Sequence, residues 1–385
     1  IFSMNLQFGQ GLIDNAALSQ SADFISLLGT KNKTFDQYKN ELQKIGSKIE
    51  VYSNGNYFGF SVSGFDKFFN ETLDLLNEFM SNMYVRAEDN SKLEKLVENS
   101  KLTRDQEFKD PSTAGRALRD YVMYGKKSPF LRRSTLKDVK KMTSKFLIDQ
   151  AKEAMQYEVD IFYTGTINEV AVIDQIKNRL SISKNLKDSK SPITMDYKKH
   201  TRNKVFLIDD PKAVQSQIYI MGQGRVLDME QRSTSDVFNK YFGSGMASII
   251  FQEIREFRSL AYTAYGAYVN RPEMELPGYF IGYMGTQVDK SMEAISTYMD
   301  LFKNMPIKEN RISTIKSGLK QSINTRKPGW RSQGAYVSNA IKQGYDKDPN
   351  ILDYNNYDDV NFDDIISFYK NNITKDPVVI TDRKS

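Results

Sequence analysis

Two stretches of this chain, 222 residues apart, are versions of one another. LNEFMSNM (Leu76–Met83) returns as YMDLFKNM (Tyr298–Met305), and the same offset of 222 carries Phe58 of YFGFSVSG onto Phe280 of YFIGYMGT. Pro129 in YGKKSPF falls on Pro349 in GYDKDPN at an offset of 220. Nearer the start, QFGQG (Gln7–Gly11) resembles MGQGR, with Gly9 and Gly11 on Gly222 and Gly224; the offset of 213 there requires an intervening loop of different length. Matches that keep one order and similar offsets read as two copies of one αβ unit. The polar stretch SKNLKDSKSPITMDYKKHTRN marks the boundary. The expected organisation is a first repeat over 1–182, a linker over 183–203 and a second repeat over 204–385.

Within the first copy, Thr34 and Gln37 form a capping-box pattern, and Phe35, Tyr38, Leu42 and Ile45 continue at helical spacing. Two strand-like runs, Lys48–Ser53 and Tyr57–Ser63, flank Asn54-Gly55, a hairpin-turn signal. An amphipathic helix follows through Phe69, Leu73, Leu76, Met80 and Met83. Helical patterns over Lys92–Tyr124 and Leu136–Met155, a strand over Asp160–Gly165 and a helix over Ile167–Leu180 complete the copy. The second copy repeats the plan. Strands are expected at Val205–Ile208, Ser216–Met221, Tyr262–Val269, Gly278–Thr286 and Val378–Ile380. Helices are expected at Ser233–Phe242, Met246–Leu260, Met292–Phe302, Arg311–Thr325, Ser332–Tyr345 and Phe362–Asn371. The fold class is α+β, two tandem αβ units each with a largely antiparallel sheet packed by helices. The first copy has no counterpart of strand Val205–Ile208 and the second none of helix Ile167–Leu180, so the expectation is a segment of a longer polypeptide.

The chemistry open to such a chain is narrow. It has no cysteine, which excludes disulfides, thiolate metal sites and cysteine nucleophiles. Its single histidine, His200, would have to serve any Ser-His-Asp triad, and no zinc site of two or three histidines can be built. His200 lies in KKHTRN and reads as an exposed linker residue. The net charge of +6 is spread; the densest basic runs, Arg132 to Lys141 and Lys198 to Lys204, are too short for a nucleic-acid stripe, and no nucleic-acid partner is expected. No apolar run approaches the roughly 20 residues of a spanning helix, so no transmembrane segment is expected. The Lys- and Asn-rich composition is compatible with a bacterial periplasmic or envelope protein.

GSGMASIIFQEIREFRSLAY, Gly243–Tyr262, carries the most chemical information. A Gly-Ser-Gly turn leads into a helix expected to bury Met246, Ile249, Ile250, Ile254 and Phe257. Arg255 and Tyr262 are seven residues apart, nearly two helical turns, and can project to one side. A guanidinium and a phenol aimed at one place suit a peptide carbonyl or a developing oxyanion. A surface Arg255–Glu pair beside a half-buried strand tyrosine accounts for the same spacing. Trp330 (RKPGWRS) reads as an aromatic half-buried at a helix entrance, and Asp110 (FKDP) as an interhelical turn with proline at a helix start.

This stretch resembles the insulinase/pitrilysin family of zinc metallopeptidases, in the half that lacks the zinc motif. That half carries F-Q-E-I-R-E-x-R-x-L-A-Y after a Gly-rich turn, matched here from Phe251 to Tyr262. The resemblance implies that Arg255 holds substrate backbone near the scissile bond and that Tyr262 stabilises the tetrahedral intermediate. Gly243 and Gly245 of the preceding turn join them as substrate-binding candidates. It also implies a peptide or unfolded polypeptide as substrate, and a zinc-bearing H-x-x-E-H half in the same polypeptide or in a separate subunit. In a zinc-bearing copy that motif precedes the position of Leu28-Gly29-Thr30. Here SQSADFISLLGT holds no histidine and only Asp23 as carboxylate, and SDVFNKYFGSG in the second copy holds no histidine either. No cofactor is therefore expected in this chain, zinc is expected in the partner half, and the chain should not hydrolyse peptides alone. The alternative is a catalytically inactive structural or peptide-binding subunit of the same fold.

Overall fold

The computed structural model describes residues 1–200, 203–209, 213–374 and 377–383. Parts of the expected linker (201–202) and second repeat (210–212, 375–376, 384–385) lie outside the described residues. The strands are β1 Phe2–Phe8, β2 Gly29–Thr30, β3 Lys48–Ser53, β4 Phe58–Gly64, β5 Met83–Tyr84, β6 Val159–Thr164, β7 Lys204–Asp209, β8 Gln215–Gln223, β9 Ala261–Val269, β10 Tyr279–Gln287 and β11 Val378–Arg383. The fold is α+β with largely antiparallel sheets, as the sequence pattern predicts.

The first unit comprises residues 1–106, 126–196 and 329–335. Its main sheet has the order β3-β4-β1-β6, antiparallel throughout, and β2 and β5 form a short separate ribbon. β1 lies between β4 and β6, and alternation sends Phe2, Met4, Leu6 and Phe8 inward at 0–1% exposure. Phe58, Phe60 and Val62 of β4 join them under helix Phe69–Asn82, which buries Phe69, Leu73, Leu76 and Phe79. Each such side chain contributes about 1.5–3 kcal/mol by leaving water. The expected capping box is formed: the Gln37 N–H donates to Thr34 Oγ1 at 3.3 Å, and the Thr34 N–H to Gln37 Oε1 at 2.9 Å. The stretch expected as a linker runs along this unit to Asp196. Lys187 bridges Tyr157, and the Lys190 N–H donates to the Gly9 carbonyl.

The second unit comprises residues 107–125, 197–328 and 336–383 of the described chain. Its sheet runs β7-β11-β8-β10-β9. Read from β9, the order β9-β10-β8-β11 matches β3-β4-β1-β6, with β7 added parallel to β11. The helical pattern expected over Lys92–Tyr124 divides into Asn90–Glu107 and Pro111–Tyr124, because Asp110 caps the second helix by accepting from the Ser112 N–H at 3.0 Å. Helix Pro111–Tyr124 packs on β11, β7 and β8, with the Arg119 guanidinium 5.7 Å from the Tyr219 ring centroid. Helix Pro349–Asp359 was not visible in the sequence pattern; its apolar residues are too sparse for a stripe.

Helix Met229–Phe242 and helix Pro349–Asp359 hold two half-buried carboxyl groups between them. Tyr357 donates to Asp236 at 3.0 Å, and Ser233 donates to Asp353 at 2.8 Å. Burial, reinforced by the Asp353 charge, pushes the Asp236 carboxyl up to about 7, against the opposing pull of the Tyr357 hydroxyl and Arg232. A carboxyl with a raised folded-state pKa stabilises the fold where it stays protonated, and that stabilisation is lost as pH rises from about 4 to about 7. Asp236→Asn keeps the acceptor for Tyr357 and removes the ionisation. The variant should therefore gain stability over the parent by roughly 2 kcal/mol between pH 5 and pH 8. Denaturant unfolding across that range checks this; a stability difference that does not change with pH contradicts it.

Candidate functional site

The site begins where helix Met229–Phe242 stops. The Gly243 N–H closes the helix on the Asn239 carbonyl at 3.0 Å, and the Gly243 carbonyl accepts from the Gly266 N–H of β9, also at 3.0 Å. A Cβ at Gly243 would overlap the Gly266 backbone, so only glycine permits this approach. Asn239 extends the seam, since Nδ2 donates to the Tyr268 carbonyl at 2.9 Å and Oδ1 accepts the Tyr268 N–H at 2.6 Å. Gly245 has φ +97° with open space around it, so it supplies a left-handed turn. Of the two glycines read as substrate-binding, Gly243 thus ties chain to chain and Gly245 reverses it.

The helix expected over Met246–Leu260 is not an ordinary one. Phe251–Glu256 winds as a π-helix, with the Phe257 N–H reaching back to the Gln252 carbonyl at 2.9 Å. Ser248 anchors its start by donating its hydroxyl to the Gly245 carbonyl at 2.8 Å; Ser259, at φ +51°, ends it. Ile249, Ile250 and Ile254 are fully buried, whereas Met246, in the turn before the helix, is 76% exposed, and Phe257, after the wider winding, is 65% exposed, which corrects the expectation that both are core. π-Helical turns are rare and concentrate at functional positions.

This winding brings Arg255 and Tyr262 together. The Arg255 guanidinium lies 5.1 Å from the Tyr262 ring centroid and 4.8 Å from that of Phe251. Its Nε is also 3.6 Å from Glu256 Oε1, so the surface ion pair and the aromatic contact coexist. Among the described residues none accepts a hydrogen bond from the Arg255 guanidinium, and none pairs with the Tyr262 hydroxyl. Tyr262 is 77% exposed. Phe251 escaped the sequence reading as a site residue, though its place four before Arg255 on a helical segment is the signal that could have found it. Behind the pair, Glu253 draws in Lys308 at 3.3 Å and Arg258 at 3.7 Å.

Tyr262 stands at the start of β9, the edge strand. It is a bulge residue, because Gly285 pairs with Thr263 and Thr286 with Ala261. Gly266 and Tyr268 turn their N–H groups away from β10, onto Gly243 and Asn239. Strand periodicity then turns the Ala264 N–H and C=O the same way. Neither group has a hydrogen-bond partner among the described residues, although Ala264 itself is only 5% exposed.

The residues that would correspond to a metal motif do not fit one. Helix Leu18–Ile25 offers Gln20 and Asp23 but no histidine, and no group of three His, Cys, Asp or Glu among the described residues could hold an ion. Burial raises the Asp23 carboxyl. His200 is half-buried rather than exposed: Nε2–H donates to the Val122 carbonyl at 3.0 Å, and the ring meets Phe206 edge-on. Trp330 is half-buried under Arg331 at the entrance to helix Gln333–Lys342. No helix among the described residues is long and apolar enough to cross a membrane.

The chain is similar to known proteins in sequence and fold. Residues 158–319 match the peptidase M16 inactive domain. A protein of Streptomyces coelicolor described as an uncharacterized zinc protease is 22% identical over 285 residues, 71% of this chain; the match spans 60% of that protein's length. The peptidase M16 inactive domain of Pseudomonas fluorescens superposes with a TM-score of 0.76 at 15% identity, covering all of this chain and 93% of that one. The periplasmic protease PqqL of Escherichia coli superposes with a TM-score of 0.75 at 14% identity, and all of this chain covers 43% of it. Residues 158–319 thus match the M16 inactive domain, and the chain resembles the insulinase-like family in the half that lacks the zinc motif.

Proposed function

We propose that this chain is the non-zinc half of an insulinase-like zinc metalloendopeptidase, with zinc and the general base supplied by another half or subunit. The observation that carries the reading is the Arg255–Tyr262 pair, stacked and open at the head of an edge strand. An extended peptide laid along β9 would exchange backbone hydrogen bonds with Ala264. The guanidinium would donate to a substrate carbonyl beside the scissile bond. As the scissile carbonyl becomes tetrahedral, the Tyr262 hydroxyl would donate to the oxyanion. Arg255 is held by two rings and one carboxylate, so its fork is oriented before substrate arrives. The E. coli protease, more than twice the length covered by this chain, supports a partner half joined in one polypeptide.

In the assembled peptidase, Arg255→Ala combined with Tyr262→Phe should lower kcat by roughly 100-fold, a typical loss for oxyanion donors, while circular dichroism stays unchanged. An unchanged rate would assign the chain to the structural or peptide-binding alternative. The isolated 385-residue chain supplied with zinc should not cleave a fluorogenic peptide above background. Cleavage that scales with chain concentration and is abolished by a chelator would contradict the assignment of zinc to a partner.

A further inference from the structure

Three tyrosines form a row across the sheet of the second unit. Tyr219 of β8 pairs with Tyr283 of β10, and Tyr283 pairs with Tyr265 of β9, so the three rings stand side by side on one face. Their centroids are 5.2 Å and 5.3 Å apart, with the rings tilted to one another by 52° and 34°. That repeat is close to the spacing of adjacent strands, about 4.7–4.9 Å. The core residues Ile218, Ile220, Ala264 and Met284 occupy the intervening positions and point to the other face.

The row is covered at one end and bare at the other. Helix Pro111–Tyr124 lies over β8, where the Arg119 guanidinium is 5.7 Å from the Tyr219 ring centroid and is itself paired with Asp120 at 2.8 Å. Tyr219 is accordingly only 4% exposed. On β9, Tyr265 is 41% exposed. Its neighbours on that face of the strand, Thr263 and Ala267, have side chains too short to cover a phenol ring.

We propose, resting on the reading of Arg255 and Tyr262 as the peptide site, that Tyr265 selects substrates whose aromatic side chain extends this row as a fourth ring. A peptide strand laid beside β9 places its same-face side chains about 5 Å from Tyr265, the interval the row already repeats twice. Rings tilted or edge-on at roughly 4.5–7 Å attract one another beyond the area they bury. The row has its cation, Arg119, at the covered end, which favours an uncharged ring at the bare one. Tyr265 stands three residues after Tyr262, roughly 10 Å along an extended strand, so the selected residue falls about two to four positions from the scissile bond.

Cleavage of matched fluorogenic peptides by the assembled peptidase tests this. The peptides differ only in carrying Phe, Leu or Lys at two, three or four positions from the scissile bond, on either side. At one of these positions kcat/KM should be about fivefold higher for Phe than for Leu or Lys, the size of one aromatic pair. Tyr265→Leu should remove that preference and Tyr265→Phe should keep it, with circular dichroism establishing that both variants fold. Equal kcat/KM for Phe and Leu at every position would overturn the proposal, as would a preference for Phe that survives Tyr265→Leu, or a stronger preference for Lys. If the chain carrying Arg255→Ala and Tyr262→Phe supports cleavage of the whole series at the parental rate, the peptide site itself is misplaced and the role of Tyr265 falls with it. If that variant is slow and the parent is indifferent to the aromatic residue, only the role of Tyr265 falls.

Discussion

One backbone contact, Gly243 to Gly266, sets the geometry on which the Arg255–Tyr262 site depends. It fixes the end of helix Met229–Phe242 against the edge strand, and neither residue tolerates a Cβ there. Gly266 is confined from below as well. The buried Tyr298 ring occupies the space that side chains at Gly266 and its cross-strand partner Gly282 would take, and its hydroxyl donates to the Tyr265 carbonyl at 3.0 Å. Strand β9 is thereby held between an aromatic floor and a helix end. The turn through Gly245 then leaves in one direction, and the π-helical segment follows it.

Covering and exposure divide β9 into two parts with different uses. From Gly266 onward its outer hydrogen-bonding groups are consumed by Gly243 and Asn239, which protects the edge from pairing with another chain. Before Gly266 the outward N–H and C=O of Ala264 have no hydrogen-bond partner among the described residues, and Arg255 and Tyr262 stand at the same strand end. The forces holding Arg255 are individually weak. A cation–π contact at an exposed site contributes about 0.5–1 kcal/mol and a surface ion pair about 0–1 kcal/mol. Together they orient the guanidinium while leaving it partly exposed, as the proposed hold on a substrate carbonyl requires.

Much of this was legible in the sequence, for physical reasons that can be named. Alternation in β1 and β4 and the capping box at Thr34 are local signals that tertiary structure reinforces. The repeat at offset 222 foreshadowed the shared strand order, since Phe58 and Phe280 sit in corresponding strands β4 and β10. The π winding was not legible. Met246, Ile249, Ile250, Ile254 and Phe257 keep helical spacing, and nothing in that spacing records that Ser248 and Ser259 confine the segment. The place of helix Pro111–Tyr124 was equally hidden, because only tertiary packing determines which sheet a helix covers. The tyrosine row was hidden too, because Tyr219, Tyr265 and Tyr283 meet only through the register of three strands, and no local pattern announces it.

The central claim is that the edge beside Arg255 and Tyr262 receives substrate backbone. Amide hydrogen exchange at Ala264, followed in the assembled peptidase with and without a slowly cleaved extended peptide, addresses it most directly. A bound strand should slow exchange at Ala264 while leaving Gly266 and Tyr268, already bonded to Gly243 and Asn239, unchanged. Exchange at Ala264 that is indifferent to saturating peptide would contradict the account.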